Sequence, residues 1–319
     1  MMVVMLADGF YPGQMELETA TPPLAAAAAT VASGHCPADA PALREIAAGS
    51  GWSVGEFTCR LGPQDRPFEE RHASVTLAVI AEGSFQYRSA SGRALLYPGA
   101  ILLGNAGAGY ECSHDHACGD RCIAFEFEPG YFAELAGDVM GAQGFRLAIP
   151  MLPALPELMP LVVEIGAGAR GASRLAMDEL AVRLVEKAVT ITRGGAGAPG
   201  APTLRDERRI SRVLRHIEEQ AAEPLDLAAL ADVAGQSKYH FLRTFRQTVG
   251  LTPYQFVLGR RMARVAAGLR TTKASVATIA FDAGFGDLST FNHRFRHLFA
   301  ASPSRFRTLT PRRGNSARS

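Results

Sequence analysis

Cys112, His114, His116, Cys118 and Cys122 stand close together in the run Tyr110-Glu111-Cys112-Ser113-His114-Asp115-His116-Ala117-Cys118-Gly119-Asp120-Arg121-Cys122. On an extended strand alternate residues share a face, so Cys112, His114, His116 and Cys118 project together. A His-x-His pair of this kind binds a divalent metal such as zinc, and Cys118 or Cys122 can complete a tetrahedral set. Four alternate positions on a straight strand span too far for one ion, so that set needs a turn near Cys118-Gly119. A thiol redox sensor is the second chemistry open to these residues. It requires an exposed thiol of low pKa, for which Arg121 beside Cys122 is the favourable neighbour. The third reading is a structural or solvent-facing cluster, and the sequence leaves all three open.

A second set of capable side chains lies further on. Lys238, Tyr239, Leu242, Arg243 and Arg246 fall in one stretch, and Leu288, Ser289, Asn292, His293 and Arg296, followed by Arg305, in another. The two stretches are copies. Ala234-Gly235, Phe241, Phe245-Arg246, Thr252-Pro253 and Phe256 return as Ala283-Gly284, Phe291, Phe295-Arg296, Ser302-Pro303 and Phe306, offset by 49 residues at the glycines and 50 from the phenylalanines onward. Arginine can bond two acceptors on guanine, asparagine can pair with adenine, and leucine offers apolar contact to a thymine methyl. Any single arginine could equally be solvated surface; the repetition argues for a shared task.

The elements that must position these residues follow from the same repeat. Gly235 and Gly284 come after the short apolar stretches 225–233 and 276–281, where glycine tolerates the left-handed backbone that ends a helix. Ser237 and Asp287 can cap the next helix. Phe241 and Phe245, like Phe291 and Phe295, are four residues apart and share one packing face, which leaves the polar residues on others. Pro253 and Pro303 restart the chain in a further helix. The expectation is two tandem helix-turn-helix units. The helix from Pro253 to about Arg270 would be about 27 Å long at 1.5 Å per residue, near the roughly 34 Å between successive major-groove faces on one side of DNA.

With these residues the chain resembles the AraC/XylS family of transcription regulators. Gly284-Phe285-Gly286-Asp287-Leu288-Ser289-Thr290-Phe291-Asn292-His293-Arg294-Phe295-Arg296 is similar to the signature of that family's second unit, and Arg260-Arg261-Met262 with Ala266 and Leu269 to its linker helix. About a hundred C-terminal residues carry the resemblance. It implies that Tyr239, Leu242 and Arg243 face bases in the first unit, and Leu288, Ser289, Asn292 and His293 in the second. Lys238, Arg246, Arg296 and Arg305 are then phosphate contacts, which position without reading sequence. His293 stands where the family usually has arginine, Ala300 where it usually has glycine and Phe306 where tyrosine is common, so the base preference of the second unit need not follow the family's.

Charge divides the chain the same way. The formal net charge is only +2, but from Pro202 to Ser319 there are 20 Lys and Arg against 9 Asp and Glu, a balance of +11 set against −9 for the rest. A strongly basic half fits a polyanion, whose condensed counterions are released on binding. No Lys or Arg precedes the Ala-rich run 24–31, which argues against an export signal. No stretch reads as a membrane span, and five cysteines do not form a disulfide framework. The expected compartment is the cytoplasm.

In chain order, residues 1–50 are rich in Ala, Pro and Gly and are expected either to be poorly ordered or to reflect a start codon placed too far upstream. From Trp52 the texture is β: residues 74–81 form a short apolar strand, 83–88 alternate, and Ser91-Gly92 and Pro98-Gly99 make turns. The order Gly83-x-Phe85-x-Tyr87, Gly92, Pro98-Gly99 resembles the cupin-type sensor domain found at the N-terminus of many AraC/XylS proteins. The acidic metal ligand usual in cupins has no counterpart around His72. From Leu152 to Arg193 the chain is expected to be helical. There Met177, Leu180, Leu184, Ala188 and Ile191 form a stripe that packs on its own domain or pairs with a second subunit. Residues 194–202 read as a linker.

The expectation is therefore an α+β two-domain chain: a poorly ordered segment 1–50, a cupin-like β-barrel sensor 51–150, a helical segment 151–193, a linker 194–202, an all-α domain with tandem helix-turn-helix units 203–310 and a basic tail 311–319. The resemblance implies a DNA-binding regulator and not an enzyme, with no required cofactor expected and zinc or another divalent metal as the candidate ion. Its candidate partners are double-stranded DNA, a small effector, a second copy of the chain and RNA polymerase, and no membrane. Two enzyme-class rivals are a metal-dependent cupin joined to a DNA-binding domain and an alkyl-transfer repair protein; the Pro-Cys-His-Arg motif of the latter is absent.

Overall fold

The computed structural model of the chain describes residues 42–65, 67–114, 119–141, 144–171, 173–194 and 202–309. Residues 1–41, most of the expected linker and the expected basic tail lie outside the described residues. The described residues of the N-terminal half hold ten strands: β1 (Ala42–Gly49), β2 (Trp52–Cys59), β3 (Phe68–Arg71), β4 (Val75–Gly83), β5 (Phe85–Ser89), β6 (Gly92–Leu96), β7 (Ile101–Gly104), β8 (Gly109–Ser113), β9 (Asp120–Phe127) and, after a helix, β10 (Met151–Leu152). The expected poorly ordered segment is thus too long. β1 pairs antiparallel with β2 over Ala42 to Gly49, and Arg44 bridges to Glu56 across the pair at 2.5 Å.

The strands form two antiparallel sheets, of order β1-β2-β9-β4-β7-β10 and β3-β8-β5-β6. This corrects the expected closed barrel. The chain passes from the first sheet to the second between Gly83 and Phe85, and no described ladder joins the two, so apolar packing and not a continuous hydrogen-bond ring holds them together. The larger sheet is covered on both faces, which is why β4 reads as an uninterrupted apolar run. Leu77 and Val79 face the helices α1 (Pro129–Met140), α2 (Met159–Gly168) and α3 (Arg174–Arg193), whereas Ala78 and Ile80 face the interior shared with the smaller sheet. The stripe Met177, Leu180, Leu184, Ala188 and Ile191 of α3 is buried in this cluster. It packs within its own chain and offers no surface to a second subunit.

Seven helices follow: α4 (Leu204–Gln220), α5 (Leu227–Ala234), α6 (Lys238–Val249), α7 (Pro253–Thr271), α8 (Val276–Asp282), α9 (Leu288–Phe299) and α10 (Pro303–Leu309). The local signals act as their chemistry requires. Ser237 accepts from the His240 amide, Asp287 from those of Ser289 and Thr290, and Thr252 with Gln255 forms a capping box. Phe241 and Phe245 meet edge-on at 5.6 Å, and Phe291 and Phe295 meet at the same centroid distance. All four are fully buried, each worth about 1.5–3 kcal/mol of apolar burial. Gly284 has φ +90°, and a Cβ there would lie 2.5 Å from the Ala222 carbonyl, so only glycine lets the second turn close on the end of α4. Ala300, where the resemblance expects glycine, adopts φ +52°, a conformation that disfavours side chains by roughly 1–2 kcal/mol.

Arg261 on α7 ties the two units together. Its guanidinium donates to the carbonyls of Ala221 at 2.7 Å, Glu223 at 2.8 Å and Gly284 at 2.7 Å, joining the α4–α5 turn to the α8–α9 turn. Beside it, Arg260 pairs with Glu218. Lysine has no planar fork with which to span three carbonyls. Arg261→Ala is expected to destabilise the chain by about 1–3 kcal/mol, with Arg261→Lys recovering little; urea unfolding checks this, and an unchanged midpoint for both variants would contradict it.

Candidate functional site

The first candidate site is the outer face of α6 and α9. Their phenylalanines point inward, and the helical period leaves Lys238, Tyr239, Leu242, Arg243 and Arg246 exposed on α6 and Ser289, His293 and Arg296 on α9. Tyr239 is 79 % exposed, far more than an aromatic with only a structural task requires. Leu288 and Asn292 are half-buried: Leu288 packs on the second unit's core, and the Asn292 amide donates to the Leu288 carbonyl at 2.8 Å. Arg305 is exposed on α10.

The basic residues of this half divide by use. Lys238, Arg243, Arg246, Arg296 and Arg305 make no ion pair with another described residue, so their charge is offered outward. Arg260, Arg261 and Arg264 are consumed by Glu218 and by backbone carbonyls, Arg307 by the Ala274 carbonyl, and Arg270 lies over the Phe306 ring. Counting charges along the sequence cannot make that distinction. It also misses Arg294, which donates to the Tyr254 hydroxyl at 2.5 Å and lies over its ring. Those two residues, with Leu242, Asp287 and Thr290, line a groove of about 600 Å³ between the units; the exposed Tyr254 just after Pro253 was the available sign.

The second candidate site is a cavity of about 50 Å³ between the sheets, lined among others by His72, Tyr110, Cys112, His114, Asp120 and Cys122. Of the predicted metal set, the strand period brings Cys112 and His114 inward, and Cys122 joins them from β9. His116 and Cys118 lie outside the described residues. Two residues that the sequence reading did not assign complete the cluster. Asp120 Oδ1 is 2.7 Å from His114 Nε2, and Cys59, distant in sequence, is brought alongside because β2 and β9 pair Cys59 with Asp120. Only strand register carried that signal.

Electrostatics weigh against the redox reading for Cys112 and Cys122. Burial raises both thiols well above their ordinary range, and Cys59 rises to about 11 from the same cause. These shifts disfavour the exposed thiolate that a redox sensor requires. Burial outweighs the lowering effect of Arg121 on Cys122, and Arg121 is itself engaged by Glu56 at 2.7 Å and Glu82 at 2.5 Å. Burial raises the Asp120 carboxyl, with His114 opposing that shift. His72 is buried and held by Thr76 at 3.1 Å and the Tyr87 hydroxyl at 2.8 Å, so both ring nitrogens are occupied.

The two halves share contacts that bear on both sites. The Tyr97 hydroxyl donates to the Val249 carbonyl at 2.5 Å, and its ring meets Phe256 edge-on. Arg93 on β6 pairs with buried Glu207 of α4 at 2.9 Å, and Ser84 meets Ser211 at 3.2 Å. Met159 and Val163 of α2 pack on the second unit's core.

Residues 230–308 match the family model described as a helix-turn-helix domain. The chain is 33 % identical over 98 residues to the regulatory protein SoxS of Salmonella typhimurium, covering 31 % of this chain and 92 % of that relative. It is 34 % identical over 98 residues to the transposon Tn10 TetD protein of Escherichia coli, covering 31 % of this chain and 71 % of the relative. Among solved structures, the DNA-binding domain of the transcription factor AdpA in complex with target DNA is 28 % identical, covering 32 % of this chain and 91 % of that one, with a TM-score of 0.31.

Burial depresses His72 to about 4 from the ordinary 6.5. Between those values the unfolded chain binds a proton that the folded chain refuses, so stability falls as pH drops through that window, by up to ~3 kcal/mol. Urea unfolding at stepped pH should show this slope flattened in His72→Gln; an identical slope in both proteins would remove His72 as its source.

Proposed function

The chain belongs to the AraC/XylS family of transcription regulators, and on that premise we propose that it reads a specific DNA sequence through α6 and α9, under the control of its N-terminal half. The observation that carries the reading is the outward set on those two helices: exposed Tyr239, Leu242, Arg243, Ser289 and His293, flanked by cations with no ion pair to another described residue. Two such helices, joined by the 19-residue α7, match a duplex whose major groove returns to the same side about every 34 Å. Arg243 is assigned to a guanine and Asn292 to an adenine, for which its amide exchanges the Leu288 carbonyl for a base edge. Lys238, Arg246, Arg296 and Arg305 are assigned to phosphates.

Control is assigned to the two-sheet domain because its contacts reach both units, through Tyr97 and Arg93 to α6 and α4 and through α2 to the second unit. An effector in the cavity acts by binding one arrangement of these contacts better than another; without that difference in affinity nothing shifts. RNA polymerase is the natural further partner of such a regulator, and the cytoplasm its place of work. No helix among the described residues is long and apolar enough to cross a membrane.

Selection of bound sequences from random DNA by the full-length protein is expected to return a defined motif in two neighbouring segments, whereas salt-sensitive binding without a motif would overturn the reading. Within that motif, Arg243→Ala is expected to lose about 1–3 kcal/mol and relax preference at one base position; unchanged specificity would take Arg243 out of the reading set. Arg296→Ala is expected to weaken binding to all sequences alike and to lower the salt slope by about one. A change confined to one base position would contradict its phosphate role.

A further inference from the structure

Cys59, His114 and Asp120 are buried at one end of the space between the sheets, and one ligand atom from each lies within 4.8 Å of the other two. Among the described residues no other group of three such side chains comes so close. The three arrive from separate places, Cys59 at the end of β2, His114 just beyond β8 and Asp120 at the start of β9. What holds them is backbone. Gly119, with φ +72°, donates to the Leu61 carbonyl at 2.8 Å, and a Cβ on it would sit 2.4 Å from the Cys59 carbonyl. Glycine at this position therefore fixes the approach of Cys59 to Asp120.

We infer that this trio is a binding site for a thiophilic divalent cation, zinc foremost, with its fourth coordination position facing the cavity. Sulfur, imidazole nitrogen and carboxylate oxygen form a donor set that zinc accepts in tetrahedral geometry. Around such an ion the ligand atoms stand roughly 3.3–3.7 Å apart, so the trio needs a small outward movement of the His114–Asp120 pair, now at 2.7 Å, with the thiol already within 4.8 Å of both. A carboxyl, an imidazole and a thiol placed together away from water are a costly arrangement for packing alone. Binding displaces the thiol proton to solvent, and Cys112 and Cys122 on the cavity wall present further sulfur beside the open position. The ligand set differs from the one expected from His-x-His spacing, since Cys59 and Asp120 enter it by strand register.

The site lies next to the contact between the halves. Asp120 pairs in register with Gly83, and the following residue, Ser84, meets Ser211 of α4. That the ion is the effector of DNA binding rests on the function proposed above; the metal site itself does not.

The test uses the full-length protein, prepared metal-free under reductant and titrated with cobalt(II) and with zinc. The expected result is one equivalent per chain, a sulfur-to-cobalt absorption band, and an X-ray absorption shell of the zinc form mixing sulfur near 2.3 Å with nitrogen or oxygen near 2.0 Å. Cys59→Ser, His114→Gln and Asp120→Asn should each lose stoichiometric binding. Substoichiometric uptake by the parent protein, a shell without sulfur, or full binding by folded Cys59→Ser would overturn the site. Where a variant does not fold, the parent protein's stoichiometry and shell decide. DNA binding measured in the same preparations separates the two readings: metal without DNA binding leaves the site and removes the regulator, and DNA binding without metal does the reverse.

Discussion

One arginine sets the geometry on which the DNA-binding half depends. Two helix-turn-helix units on a single connecting helix would be free to splay, because the phenylalanines of each are buried in separate apolar clusters. Arg261 gathers carbonyls from both, two at the end of α4 and one at Gly284. Hydrogen bonds from a charged donor to several carbonyls are strong individually and, in planar array, directional. Rotation of one unit about α7 would break them, and the orientation of α6 relative to α9 is thereby fixed before any DNA is met. Preorganisation of this kind removes an ordering penalty from binding.

That arrangement is not isolated from the rest of the chain. The interior of the two-sheet domain and the core of the first unit form one continuous apolar cluster running from Tyr87 and Tyr97 to Phe245 and Phe256. Polar contacts at its edge are specific: Tyr97 reaches the last carbonyl of α6, and Arg93 pairs with a glutamate fully removed from solvent. A buried pair of this sort adds little net stability, yet it penalises any displacement that would separate its members. With α2 packed on the second unit, the N-terminal domain grips both reading helices through packed, discrete contacts, which is the physical form a transmitted signal needs.

How much of this the sequence disclosed depended on whether the cause was local. Caps, left-handed glycines and phenylalanines at i and i+4 act within one helical turn, so both units could be laid out from residue spacing, and the outward positions of Tyr239, Arg243 and Arg296 followed from the same period. Strands 75–104 were also visible, because alternation is local. What failed was set at long range. Barrel closure depends on which strand edges meet, and here they do not. The strand at Ala42–Gly49 is held by its ladder with β2 against a composition that argues for disorder. Cys59 could not be joined to His114 without knowing that β2 lies beside β9. The stripe on α3 was seen correctly as apolar, but periodicity cannot say which surface covers it.

The account rests on two reading helices held on one scaffold and applied to one side of a duplex. Hydroxyl-radical footprinting of the full-length protein on its selected site measures that directly. Two protected segments roughly 10 base pairs apart on the same face of the helix are predicted, both weakening together in Arg261→Ala. A single protected segment, or two on opposite faces, would contradict the account.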